Sequence, residues 1–201
     1  MNLLLLDISI SQAASIILVI VILFLGYKYA ETFWSYRISK PYAWETAVSN
    51  KSISKELLTI ERGFRDKVRF YNLWFQVEQL KKNRISGAFA ELGVHQGKTA
   101  RAIHHMDNNR EFYLFDTFEG FPKEDLDKEN QTGDRFSTEM FADTSVDKVK
   151  KYINGNANLL FKSGFFPDST EGLETEIFAL VNIDADLYSP TIEALNFFYD
   201  C

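Results

Sequence analysis

Ala88-Phe89-Ala90-Glu91-Leu92-Gly93-Val94-His95-Gln96-Gly97 is the stretch on which the reading of this chain turns. A short apolar run ends in an acid and a glycine, a second glycine follows four residues on, and a helical pattern runs from Lys98 to His105. Strand, tight turn and helix in that order form the opening unit of a parallel α/β sheet. Working outward, Glu111-Phe112-Tyr113-Leu114-Phe115-Asp116 is a second strand with an acid at its carboxyl end. Leu159-Leu160-Phe161 opens a third, closed by Ser163-Gly164, and Ile177 to Asp184 is the fourth and most apolar. Continuous apolar runs alternating with helices predict a parallel sheet covered on both faces. Helix ends agree: Thr144-Ser145-Val146-Asp147 has capping-box form, Asn154-Gly155 stops the helix after it, and Ser189-Pro190 fits the start of a last helix.

Upstream, apolar residues from Leu57 to Leu80 recur at helical spacing, which predicts one long helix or two shorter ones over 54–82. Residues 31–53 mix aromatics with Pro41 and several serines and are read as a juxtamembrane connection. Before them, twenty residues between Asp7 and Lys28 carry no charge and include ten consecutive large apolar side chains, Ile16 to Leu25. As a helix these twenty rise about 30 Å, the hydrocarbon thickness of a bilayer. Residues 1–30 are therefore expected to be a transmembrane anchor. Ser9, Ser11, Gln12 and Ser15 weaken its first half, and the start lacks the basic residues and cleavage site of a signal peptide. Lys28, Arg37 and Lys40 follow the segment, so the positive-inside bias places residues 54–201 on the cytosolic side, with a helical lead-in over 54–84 and the α/β part over 85–201.

Composition narrows the function. The 201 residues are 46% hydrophobic and 25% charged, which excludes wholesale disorder. A net charge of −6 argues against a nucleic-acid partner. Cys201 is the only cysteine, so disulfide scaffolds and cysteine zinc sites are excluded. Between Glu119 and Asp147 stand nine acids against three cations, as negative as the whole chain. That stretch reads as a solvated connection, a lid over a ligand, or both.

Ligands of open parallel sheets bind beyond the carboxyl ends of the strands. Glu91, Gly93 and Gly97 after strand one, Asp116 after strand two, and Asp184 and Asp186 after strand four are the candidates. A dinucleotide turn needs three glycines to admit a pyrophosphate; this one has two, and an acid that would repel phosphate. S-adenosylmethionine carries a sulfonium and an ammonium and no phosphate, so an acidic turn suits it better. Asp116, 25 residues beyond Glu91, stands at the spacing of a carboxylate that bridges ribose hydroxyls.

With those residues goes a resemblance. Phe89 to Val94, Phe115-Asp116-Thr117-Phe118-Glu119-Gly120-Phe121-Pro122, Lys162 to Ser169, and Asn182-Ile183-Asp184-Ala185-Asp186-Leu187-Tyr188 resemble, in order, the TylF/MycF-like macrocin O-methyltransferases, over roughly residues 60–201. The resemblance implies a Rossmann-like class I methyltransferase sheet with Glu91, Gly93, Gly97 and Gly164 on the cofactor and Asp116 on its ribose. It further implies Asp184 as a magnesium ligand and Asp186 as general base, acting on the hydroxyl of a sugar or glycosylated intermediate. A metal-bound hydroxyl is more acidic, and a nearby carboxylate can take its proton. The plainer alternative is that both acids only favour the helix start that follows.

The chain departs from the family in stopping early. The family's sheet has seven strands and two further aspartates that complete the magnesium site; here four strands are expected, ordered 3-2-1-4. That leaves an unpaired edge open to another chain, a route to a homo-oligomer, and the expectation is a fragment or truncated frame. The rival readings are a non-catalytic module that binds S-adenosylmethionine or a partner, and a nicotinamide-dependent sugar enzyme. His95 is read as a loop histidine facing solvent or ligand, His104 and His105 as helix-end caps, Phe165 and Phe166 as adenine wall or core, and Cys201 is given no role.

Overall fold

The computed structural model describes residues 9–34, 40–121, 123, 126 and 137–199. The elements run α1 (Ile10–Trp34), α2 (Tyr42–Ser49), α3 (Lys55–Gly63), α4 (Lys67–Lys82), β1 (Ala88–Leu92), α5 (Lys98–Met106), β2 (Phe112–Asp116), α6 (Val146–Ile153), β3 (Leu159–Ser163), a 3-10 turn (Asp168–Thr170), β4 (Phe178–Ile183) and α7 (Tyr188–Tyr199). The four strands are all parallel and lie in the order β3-β2-β1-β4, as the resemblance implies. Phe89 pairs with Phe112 on one side and Leu180 on the other, so β1 is one of two inner strands, flanked by β2 and β4. Its five residues are all buried, whereas β4, the most apolar strand by sequence, is only half-buried throughout. Among the described residues the far edge of β4 pairs with no strand.

Strand alternation divides the core in two. Phe89, Phe112 and Leu114 face a cluster with Ile103 of α5 and Val149 and Ile153 of α6. Ala88, Ala90, Leu92, Tyr113 and Phe115 face the other way, onto Phe166 and α7 residues Ala194, Phe197 and Phe198. Both faces are covered, as a parallel sheet requires.

The stretch read as a connection over 31–53 is largely structured instead. α1 continues to Trp34, and α2 plants Trp44, fully buried, among Phe70, Tyr71 and Trp74 of α4 with ring centroids 5.1–5.7 Å apart. Trp44 thus packs on the domain, while Tyr42 is exposed; Tyr36 lies outside the described residues. The helical stretch 54–82 is two helices: Phe64 turns extended, and Asp66 caps α4 by accepting the Arg69 N–H at 3.0 Å. α6 is capped by Ser145 and closed by left-handed Asn154, as expected. α7 begins at Tyr188, slightly ahead of the proline predicted to open it. Within α1, Ile10–Glu31 is long and apolar enough to cross a membrane, and none of it is buried in the chain.

Candidate functional site

The carboxyl ends of β1, β2 and β4 converge. The ladder runs on past the strands, with the Gly93 N–H donating to Phe115 O at 3.0 Å and the Asp184 N–H to Leu92 O at 2.8 Å. Gly93 has φ +86°, and a Cβ there would run into the carbonyl oxygen of Asp184. Only glycine lets the turn after β1 lie flush against the end of β4. At this junction opens a cleft of about 160 Å³. Gly93, Asp116, Gly164, Asp184 and Asp186 line it, and Phe165 and Phe166 form part of its apolar wall.

Two of the sequence candidates stand elsewhere. Gly97, with φ +76°, caps α5 at its start; a Cβ there would stand 2.8 Å from Val149, so its smallness seats α5 against α6. Glu91 shares a sheet face with Phe89, away from the cleft-lining Leu92, and is 1% exposed. Its Oε1 accepts from Asn182 Nδ2 at 2.9 Å, and its Oε2 is buried with no hydrogen-bond partner among the described residues. Burial pushes the carboxyl up to about 8; Asp184 and Asp116 push the same way, and the Asn182 bond and Arg69 only partly oppose them. Glu91 is therefore largely protonated at neutral pH.

Asp116 is held in one orientation. Its Oδ2 accepts the His95 N–H at 2.8 Å and its Oδ1 the Phe118 N–H at 2.7 Å. His95 does not simply face solvent: it lines the cleft, its ring packs on Phe141, and its Nε2 lies 2.8 Å from Asp143. Gln96 donates to the other Asp143 oxygen at 2.7 Å. One acid of the acidic stretch is thus tied to the glycine turn; residues 122, 124, 125 and 127–136 of that stretch lie outside the described residues. His104 and His105 are not caps of their own helix. His104 Nε2 accepts the Asn156 N–H at 3.4 Å and His105 Nε2 meets Ile153 O at 3.0 Å, joining α5 to the end of α6. Burial pushes His104 down to about 4, so it packs as a neutral ring.

Asp186 lies in the left-handed region at φ 59°, beyond the end of β4, so strand alternation does not set its direction. Burial, then the Asp184 charge, hold its carboxyl above the ordinary range, against His95 and Arg69. Asp184 meets Arg69 of α4, whose Nη2 donates to Oδ2 at 2.6 Å. No sequence signal pointed to Arg69, 115 residues away; Asn182 sat unassigned beside Asp184.

The acidic rim and aromatic wall fit a cationic methyl donor bearing a nucleoside. The donor set does not fit a magnesium ion: Asp184 already holds a guanidinium, and the described residues contain no group of three or more acids, histidines or cysteines placed to ligate one.

A parallel 3-2-1-4 sheet with an acidic cleft beyond its carboxyl edge defines a doubly wound ligand-binding fold. The chain belongs to the Macrocin-O-methyltransferase (TylF) family, whose profile matches residues 60–201. A relative from Streptomyces olivaceus, 8-demethyl-8-(2,3-dimethoxy-alpha-L-rhamnosyl)-tetracenomycin-C 4'-O-methyltransferase, is 28% identical over 138 residues, 63% of this chain and 53% of that protein. The chain thus spans about half the length of that relative. The solved structure of the O-methyltransferase NovP shares the fold at a TM-score of 0.50 and 21% identity, covering 66% of this chain and 60% of that one.

Proposed function

We propose that this chain forms the S-adenosylmethionine-binding part of an O-methyltransferase acting on a sugar hydroxyl of a glycosylated small molecule. The observation that carries the reading is Asp116, fixed by two backbone N–H groups at the rim of a cleft shared with Gly93, Asp184 and Asp186. The family match and the rhamnosyl 4'-O-methyltransferase name of the relative support the substrate class.

The bound cofactor supplies an activated methyl group. Asp116 receives the ribose hydroxyls, Gly93 and Gly164 leave room for close approach, and Phe165 and Phe166 exclude water from the base. Asp186 orients the acceptor hydroxyl and takes its proton on a carboxylate oxygen as the oxygen gains the methyl group, whose bond to the sulfonium would break to leave a neutral thioether. Glu91, behind the turn, positions Asn182 rather than touching a ligand. Magnesium assistance, implied by the resemblance, finds no matching donor set among the described residues. α1 holds the domain at a membrane, with the positive flank of Lys28, Arg37 and Lys40 keeping it cytosolic.

Calorimetry tests the reading. S-adenosylhomocysteine is expected to bind the chain, and Asp116→Ala to weaken binding at least about ten-fold through two lost charge-assisted bonds; absence of heat with the native chain overturns it. The Arg69–Asp184 pair favours one rival, a binding module without turnover. Transfer of labelled methyl to deoxysugar acceptors, with and without magnesium, separates the two.

A further inference from the structure

On the α3–α4 side of the sheet lies a second cavity, a groove of about 550 Å³ between α3, the α3–α4 turn, the first turn of α5 and α6. Its walls carry four cations, Arg65, Arg69, Lys98 and Arg101, in a chain whose net charge is −6. Two are already matched: Arg69 by Asp184, and Arg101 by Glu56, with Tyr152 stacked 5.1 Å from its guanidinium. The one acid in the wall, Asp66, caps α4. The side chains of Arg65 and Lys98 are exposed and have no hydrogen-bond or ion-pair partner among the described residues. Ile60, Phe64 and Tyr152 complete the lining with apolar surface.

Cations gathered on one surface without counter-charges raise the local positive potential and draw in an anion. A guanidinium meets phosphate with two parallel N–H bonds, while an ammonium adds a point charge. The groove is also continuous with the cleft chemistry, because Arg69 in its wall holds Asp184 in the wall of the cleft.

We propose that this groove binds the phosphate of a phosphorylated sugar acceptor, with Arg65 and Lys98 on the anion and Tyr152 against the sugar's apolar face. The acceptor then spans from the groove past the Arg69–Asp184 pair, so that its hydroxyl reaches Asp186. The acceptor assignment rests on the reading of the cleft given above; the anion site stands without it.

The test uses the full chain in non-ionic detergent micelles, titrated with inorganic pyrophosphate by calorimetry. One-site saturable binding is expected, weakened about ten-fold or more in the Arg65→Gln/Lys98→Gln double variant, since each loses a charged contact. The charge-keeping Arg65→Lys/Lys98→Arg pair should retain most of it. S-adenosylhomocysteine affinity should be unchanged in the double variant. Competition by glucose 1-phosphate, but not glucose, marks a soluble acceptor; competition only by a polyprenyl phosphate in the micelles marks a lipid-linked one. No saturable binding, or equal binding by the double variant at matched melting temperature, overturns the proposal. Pyrophosphate binding that depends on both cations, without any S-adenosylhomocysteine binding, overturns the cleft reading and leaves the groove.

Discussion

Glu91 and Glu61 are both 1% exposed, yet their surroundings drive them in opposite directions. Around Glu61, the Tyr71 hydroxyl at 3.0 Å and the ammonium groups of Lys67 and Lys40, each at 3.3 Å, overcome burial and hold the carboxyl below its ordinary value. Glu91 has one amide partner and two acids nearby, and burial wins. With a folded-state value of about 8 against 4.5 for the free group, the folded chain binds more protons than the unfolded chain between those limits. Stability should therefore fall as pH rises from about 5 to 8, by up to ~1.4 kcal/mol per pH unit. Glu91→Gln should flatten that slope; urea melts at pH 5, 6.5 and 8 read it, and identical slopes in both proteins contradict it. Gly93→Ala meets both a positive φ and the Asp184 carbonyl, and should cost at least about 2 kcal/mol in thermal unfolding. Acids and glycines at strand ends were legible because their type and spacing mark a turn, whereas Arg69 was not, since an ion pair between distant residues leaves no local pattern.

At the scale of elements, the break between α3 and α4 shows how a cap decides between one helix and two. The apolar spacing from Leu57 to Leu80 fits either, and Asp66 settles it by taking the Arg69 N–H that a continuous helix would have bonded internally. Ser54 does the same for α3, accepting from Leu57 at 3.1 Å, so Ser54→Ala should cost about 1 kcal/mol in urea unfolding. α2 escaped the sequence reading because its eight residues are too short to show a period and sit among aromatics that suit a membrane interface equally well. Trp44, edge-on to three rings, makes it an integral part of the core; Trp44→Ala should cost about 3–5 kcal/mol by calorimetric melting. Unperturbed stability would return α2 to the status of a connection.

For the whole molecule, α1 stands apart from the core in composition, since its apolar side chains from Ile16 to Leu25 are all exposed. The native chain should float with lipid vesicles after alkaline extraction, and Leu18→Lys with Ile22→Lys should release it, each lysine costing about 2.5–3.5 kcal/mol at mid-bilayer. A native chain that stays in the soluble fraction refutes the anchor. The sequence by itself determined the parallel sheet, the glycine turn and the acids beyond the strands, because these rest on local periodicity and on residue types with few conformational alternatives; the strand order came from the family resemblance. Only the tertiary structure decided that Glu91 turns away from the cleft, that Asp184 is held by Arg69, and that Arg65 and Lys98 share a groove. Those outcomes depend on which faces and helices are packed together, and on the balance of burial against charge once they are.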